Sequence, residues 1–317
     1  MRAFAKDSFE DPGQVRELPD PEPAAGELRV RVRAASLNPA DAGAAAGYYK
    51  AFAECRFPYV PGQDFSGTVD RISQGVTAFA VGDEVFGLAS KPFFGAGTFA
   101  ERVVVSESLA ARKPGSIDHI AASTAGLAAV TALAALELLE LKAGQELLVV
   151  GASGGVGSYA VQFAVRDGAR LIAVARGDRA DYLRSLGASE TVDYTATDVG
   201  AWLDSRRPDG IDALLDLASD SVNFVRLARH VKRGGRAATP AAQVPPAELE
   251  SLAAQGVTAV VVRGSASPER LSRIASALAS GAVKAPKTRT VPLEQAAQAL
   301  ADAGTRHTQG KIVITIA

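Results

Sequence analysis

The sequence predicts an α/β chain in which a mostly β N-terminal part is followed by a doubly wound parallel sheet. Roughly the first 110 residues read as an irregular β domain, short strands between turn clusters. From about residue 120 the texture changes to alternating helices and strands, with six strand candidates. Beyond that complete sheet the chain runs on through further helices and strands. This leaves a return to the N-terminal half open.

In the N-terminal part, Arg29-Val30-Arg31-Val32-Arg33-Ala34 alternates strictly, so one face is apolar and the other carries three arginines, as in a half-buried strand. Short strands are expected at 67–72, 84–87 and 101–105, between turn clusters rich in Gly, Pro and Asp at 19–26, 58–62 and 95–98. Residues 120–139 are alanine-rich but contain Glu137 and lead into a charged region; they read as a buried amphipathic helix, not a membrane span. Sheet strands are expected at 146–150, 171–175, 190–193, 212–217, 236–239 and 257–262, with helices separating the first five. Right-handed crossovers then put helices on both faces. After Gly264, a helix over 268–280, a strand near 288–292, a helix over 293–303 and a strand over 311–316 close the chain. The domain assignment is 1–120 with 264–317 for the β domain, and 121–263 for the parallel sheet.

At 317 residues the chain is long for a single core. Its 47% hydrophobic and 22% charged content is that of a soluble globular protein. With 34 basic and 35 acidic residues, it carries neither a nucleic-acid footprint nor a polybasic membrane surface. The opening MRAFAKDSFEDPG has no apolar core of signal-peptide length, and a cytoplasmic location is expected. Cys55 is the one cysteine, so no internal disulfide can form. With His119, His230 and His307 it makes up the whole Cys and His complement, and no two of these stand at metal-ligand spacing. No metal site is expected. Cys55 has no histidine near it in sequence and reads as a small buried hydrophobe.

The most informative stretch is Leu147–Gly157, LLVVGASGGVG. An apolar run of strand length ends in a glycine-dense turn, and a helical pattern follows up to Asp167-Gly168. Ala152-Ser153-Gly154-Gly155-Val156-Gly157 matches G-x-G-x-x-G with alanine first. Small residues let the backbone approach a dinucleotide pyrophosphate, and the helix N-terminus offers it N–H groups and partial positive charge. The strand after that helix ends where an NAD site usually places an acid for the ribose 2′-hydroxyl. Here Arg176 stands there, with Arg179 one helical turn on. Arginine forks suit a 2′-phosphate, so NADPH is the expected cofactor; the alternative is solvated surface charge.

Several separated motifs resemble one family. They are Ala35-Ser36-Leu37-Asn38-Pro39-Ala40-Asp41, Val60-Pro61-Gly62-Gln63-Asp64-Phe65-Ser66-Gly67, Val81-Gly82-Asp83-Glu84-Val85-Phe86-Gly87, Gly97-Thr98-Phe99-Ala100-Glu101, the glycine turn, Arg184-Ser185-Leu186-Gly187-Ala188 and Gly310-Lys311-Ile312-Val313. In order and spacing, over nearly the whole length, they resemble the medium-chain dehydrogenase/reductase superfamily, in its zinc-independent quinone oxidoreductase branch. The resemblance implies a Rossmann domain inserted into a GroES-like catalytic β domain, with the active cleft between them. Zinc-dependent relatives place a cysteine where Asn38–Asp41 stand and Gly-His-Glu where Gly62-Gln63-Asp64 stand; both ligand positions are lost here. Without a Lewis acid, alcohol oxidation has no electrophile for its alkoxide, whereas hydride reduction of a polarised double bond is less demanding.

The same resemblance suggests roles for individual residues, each with a plainer alternative. Asn38 matches an asparagine facing the nicotinamide ribose, or is a turn residue before Pro39. Tyr48 and Tyr49 lie where the family carries a cleft tyrosine able to donate to a substrate carbonyl, or simply pack with a wet hydroxyl. The family's proline-rich stretch becomes KAFAECRF over 50–57, a departure in the local cleft. Gln63 points its amide into the emptied metal site or makes a structural hydrogen bond. Thr131 matches a threonine near the nicotinamide carboxamide, or bonds its own helical turn. Tyr194 lies against the cofactor or packs at a strand end; Lys311 reaches the cofactor phosphates or is an exposed strand-start lysine. No strong general acid is visible. The function expected is NADPH-dependent reduction of a quinone or α,β-unsaturated carbonyl compound. The alternatives are an enoyl-thioester reductase and a low-turnover NADPH-binding protein of structural or regulatory role. The apolar strand at 257–262 reads as a sheet edge, and a homodimer is expected.

Overall fold

The computed structural model describes residues 1–305 and 309–316, so His307 lies outside the described residues. The chain forms two compact units. One comprises Met1–Val130, Ala266–Gly281 and the chain from Ala285 on; the other comprises Thr131–Ser265 with Ala282–Lys284.

The alternating segment organises the first unit. It forms the strand Glu27–Ser36, with Leu28, Val30, Val32 and Ala34 buried and Arg31 and Arg33 outward. One edge of this strand pairs antiparallel with Asp64–Ile72. The other edge is shared: Arg102–Ser106 takes its first half and Lys311–Thr315 its last residues. Thr288–Pro292 pairs parallel with Lys311–Thr315, and Glu84–Leu88 and Ala110–Arg112 extend the other side of a seven-stranded sheet. The C-terminal tail therefore does return to the N-terminal sheet, and Ile312 and Ile314 join Leu28, Val30 and Phe65 in its core. Two small ribbons are additional: Arg2–Ala5 with Gln14–Glu17, and Glu54–Val60 with Phe93–Ala96. Glu54–Val60 buries only its last two residues, so it carries no apolar alternation to read.

The helix expected over 120–139 is two helices, His119–Ser123 and Leu127–Leu139. The break has a cause. A Cβ on Gly126 would lie 2.5 Å from Asp64 Oδ1, and the next N–H, that of Leu127, donates to that same oxygen at 2.6 Å. His119–Ser123 packs on the β unit through Ser66 and Ser36, so the first boundary falls after Val130 and not at 120. Nor is the second helix amphipathic: Ala128 to Ala135 are buried on every face.

The second unit is a six-stranded parallel sheet in the order Glu190–Asp193, Arg170–Ala175, Glu146–Val150, Ile211–Asp216, Val231–Thr239, Thr258–Val261. Strand interiors such as Leu147, Leu148 and Val149 are fully buried, as a sheet covered by helices on both faces requires. The strand order reverses beside Glu146–Val150, whose carboxyl end leads into the glycine turn. Ala282–Lys284 belongs to this unit because the Gln162 amide pairs with the Lys284 backbone, donating to its carbonyl at 2.9 Å and accepting from its N–H at 2.8 Å. Among the described residues no helix is long and apolar enough to cross a membrane.

Candidate active site

In the parallel-sheet unit, Glu146–Val150 runs through a turn into the helix Gly155–Arg166, capped by Gly154 without a side-chain hydrogen bond. A Cβ on Gly157 would lie 2.5 Å from the Gly151 carbonyl oxygen and 2.6 Å from Ala152 Cα; only glycine lets the helix sit this close to the strand. At Gly154 a Cβ would meet only the Gly151 carbonyl oxygen, at 3.4 Å, so nothing crowds the helix's first residue. The first N–H groups of a helix have no intrahelical acceptor, and no side chain takes their place here. An anion fits this end.

Arg176 follows the strand Arg170–Ala175 directly, and Arg179 lies in the short turn after it. Of the two arginines, only Arg176 lines the neighbouring hollow of about 130 Å³, with Ala173, Ala175, Thr191 and Asp193. Between the arginines stands Asp178, whose Oδ1 is 3.7 Å from Arg176 Nε and 3.4 Å from Arg179 Nε. The place therefore holds two cations and an acid that the sequence reading passed over. Tyr194, at the end of the neighbouring strand, is 48% exposed and so is not the packed tyrosine of the plainer reading. Thr131 is buried in its helix against Gly264, where a Cβ would meet Thr131 Oγ1 at 2.4 Å.

In the β unit a buried polar cluster forms around Asp64. Its Oδ2 accepts from Ser36 Oγ at 2.7 Å, Asn38 Nδ2 at 3.0 Å and Lys311 Nζ at 3.2 Å, while Oδ1 accepts from Leu127 N. Lys311 Nζ also donates to Asn38 Oδ1 at 2.5 Å. Asn38 opens the helix Pro39–Ala45 and donates to Asp41 Oδ2 through its backbone N–H at 2.8 Å and its side-chain amide at 3.2 Å. Asp41 Oδ1 is buried and has no hydrogen-bond partner among the described residues. Burial above all, and Asp64 next, push the Asp41 carboxyl up to about 7.

This cluster corrects both readings of Lys311, which is 4% exposed: it is no surface lysine, and its ammonium is engaged by Asn38 and Asp64 instead of reaching toward phosphates. It also shows Asn38 as more than a turn residue, since its side chain bridges Lys311, Asp64 and Asp41. Beside the cluster is a cavity of about 50 Å³ whose walls include Asp41, Tyr59, Gln63 and Phe94. Gln63 thus lies where a substrate group could meet its amide. Tyr48, 75% exposed, and Tyr49 do not line this cavity, though Tyr49 stacks at 5.7 Å on Phe94, which does.

Residues 24–115 match the alcohol dehydrogenase GroES-like domain, and residues 186–314 the zinc-binding dehydrogenase family. The chloroplastic quinone-oxidoreductase QR1 of Triphysaria versicolor is 34% identical over 310 residues, 94% of this chain and 92% of its own. The chloroplastic NADPH-dependent alkenal/one oxidoreductase of Arabidopsis thaliana is 32% identical over 304 residues, 93% of this chain and 73% of its own. Among solved structures, the quinone oxidoreductase from Coxiella burnetii superposes with a TM-score of 0.88 at 26% identity, covering 100% of this chain and 99% of that one. The chain belongs to the medium-chain dehydrogenase/reductase superfamily, in its quinone oxidoreductase branch.

One of the matched families is described as zinc-binding, and the donor set of this medium-chain reductase does not fit that metal. Asn38 and Gln63 are poor zinc ligands, and the Lys311 ammonium already occupies Asn38 Oδ1 and Asp64 Oδ2. Among the described residues no group of three or more His, Cys, Asp and Glu could hold an ion. His119 is taken by Ser66 at 2.8 Å and Glu84 at 3.2 Å, and His230 by Asp204 at 3.1 Å. Asp41 and Tyr59 on the cavity wall, Asp64 at the centre of the buried cluster and Asp178 between the arginines were not singled out from the sequence. Asp41 and Asp64 stood inside quoted motifs, but nothing local signalled that they would meet.

Proposed function

We propose that this reductase moves hydride from NADPH to a quinone or an α,β-unsaturated carbonyl compound without zinc. The observation that carries the proposal is the Lys311–Asn38–Asp64 cluster, which puts an ammonium and an amide where metal-dependent alcohol chemistry would need its ligands. NADPH, when bound, supplies the hydride. The glycine turn and the N-terminus of Gly155–Arg166 hold the pyrophosphate. Arg176 and Arg179 hold the 2′-phosphate, which displaces Asp178 as their partner. The name of the Arabidopsis thaliana relative, an NADPH-dependent alkenal/one oxidoreductase, supports both the cofactor and the acceptor. The protein works as a homodimer joined through the edge strand Thr258–Val261, which ends the sheet with Val261 40% exposed.

The test is oxidation of NADPH and of NADH by a panel of quinones, enones and enoyl thioesters. Turnover with quinones or enones, preferring NADPH, is expected. Turnover with enoyl thioesters alone, or with nothing, would overturn the proposal.

A further inference from the structure

Beside the turn that carries Arg176 and Arg179 stands a second acid, Asp193, and all of these residues lie in the parallel-sheet unit. Asp193 ends the strand Glu190–Asp193 and sits opposite Ala175, the last residue of Arg170–Ala175. Its Oδ1 accepts from Thr195 N at 2.9 Å and from Thr195 Oγ1 at 2.7 Å. Its Oδ2 faces Gly177, the first residue of the short turn Gly177–Arg179. A Cβ on Gly177 would overlap that oxygen, with Asp193 Cγ next at 3.2 Å and Asp193 Cβ at 3.7 Å. The three nearest atoms thus all belong to Asp193, and the Gly177 backbone is not in the left-handed region. What reserves this position for glycine is the Asp193 carboxylate itself. Thr195 above all, and then the Gly177 N–H and Arg176, hold that carboxyl below the usual carboxylate range. The helix that continues the turn, Ala180–Ser185, is tied to the glycine turn: Tyr182 donates to Ser158 Oγ at 3.0 Å, and Ser158 Oγ to the Gly154 carbonyl at 2.7 Å.

We propose that Asp193 is a positioning residue for NADPH selection: it pins the backbone at Gly177 so that the Arg176 and Arg179 forks are already placed for the 2′-phosphate. The proposal rests on the reading of those two arginines as the 2′-phosphate contacts. It separates two acids that stand beside the same cations. Asp178 lies against both arginine Nε atoms and competes with the phosphate. Asp193 carries the same charge, yet its contacts run to Thr195 and to the backbone of the turn. By charge alone, removing either acid favours a bound phosphate. For Asp193 the geometry gives the opposite sign. Without it the turn loses its fixed point, and two long side chains must be ordered at the moment of binding. NADH has no 2′-phosphate for the forks to meet, so its binding does not depend on where they stand. The pairing of Glu190–Asp193 with Arg170–Ala175 runs through the backbone and does not need the Asp193 side chain.

Titration of the whole protein with NADPH and with NADH tests this. Asp193→Ala should weaken NADPH about tenfold and leave NADH within about twofold. Asp193→Asn, which keeps an oxygen for Gly177, should recover part of the loss. Gly177→Ala should reproduce the loss by forcing the carboxylate aside. Added to Asp193→Ala it should cause no further loss, because the space is then open. Gly177 is exposed, so Gly177→Ala decides the matter should Asp193→Ala not fold. NADPH binding that is unchanged or tighter in Asp193→Ala, equal losses for both cofactors, or unchanged NADPH affinity in Gly177→Ala would each overturn the proposal. Arg176→Ala is the reference. If it leaves the ratio of NADPH to NADH affinity at the wild-type value, the 2′-phosphate reading itself has failed; if it shifts that ratio while Asp193→Ala does not, only the role of Asp193 has.

Discussion

The proposed preference for NADPH turns on Arg176 and Arg179. A charge-assisted contact to phosphate is worth on the order of 1.5–3 kcal/mol, so Arg176→Ala and Arg179→Ala should each weaken NADPH roughly ten- to a hundredfold and leave NADH nearly unchanged. Asp178→Asn should act the other way, since it removes the acid that competes with the 2′-phosphate for both forks. Titration of each variant with both cofactors decides this; equal losses for NADPH and NADH would make the arginines plain surface charge. Asp41 makes a separate prediction about stability. Its carboxyl binds a proton more tightly folded, near 7, than at its ordinary value of 3.8. Between those pH values the folded state holds the extra proton, so this group's contribution falls as pH rises through the window. Asp41→Asn should therefore lose less Tm than wild type between about pH 5 and pH 8, and parallel pH profiles would contradict the assignment. The arginines were legible because strand, glycine turn and arginine follow one another in sequence. The Asp64–Lys311 pair was not, because 247 residues separate its members and only the return of the C-terminal strand to the first sheet joins them.

Elements were legible where their burial leaves a period in the sequence. Glu27–Ser36 alternates, and the strands of the parallel sheet are continuous apolar runs, so both could be read. Glu54–Val60 is mostly exposed and contains Pro58, so nothing in it announced a strand. The split between His119–Ser123 and Leu127–Leu139 was hidden for a different reason: it answers to Asp64, a residue far away in sequence. The glycine turn is where local sequence and packing agree most closely. Gly157→Val would drive side-chain atoms into the Gly151 carbonyl and Ala152, costing about 1–3 kcal/mol or more in overpacking and prying the helix N-terminus from the strand end. The expected outcome is a lower Tm together with loss of NADPH binding in a titration. Unchanged affinity would mean that the turn does not hold the pyrophosphate.

For the whole molecule, the parallel sheet ends at Thr258–Val261, a strand with no outer partner among the described residues. Pairing of this edge with its symmetry mate should give a dimer mass in light scattering at micromolar concentration, and Val261→Lys should shift it to the monomer. A wild-type monomer would end that assignment. The central claim is that this chain reduces a polarised double bond with hydride from NADPH and no metal. The most direct measurement is the fate of deuterium from NADPH labelled at its transferable position, offered with an enone to chelator-treated protein. The account predicts one deuterium at the β-carbon of the saturated product and a rate indifferent to the chelator. Product without label, or turnover that vanishes on chelation and returns with zinc, would contradict it.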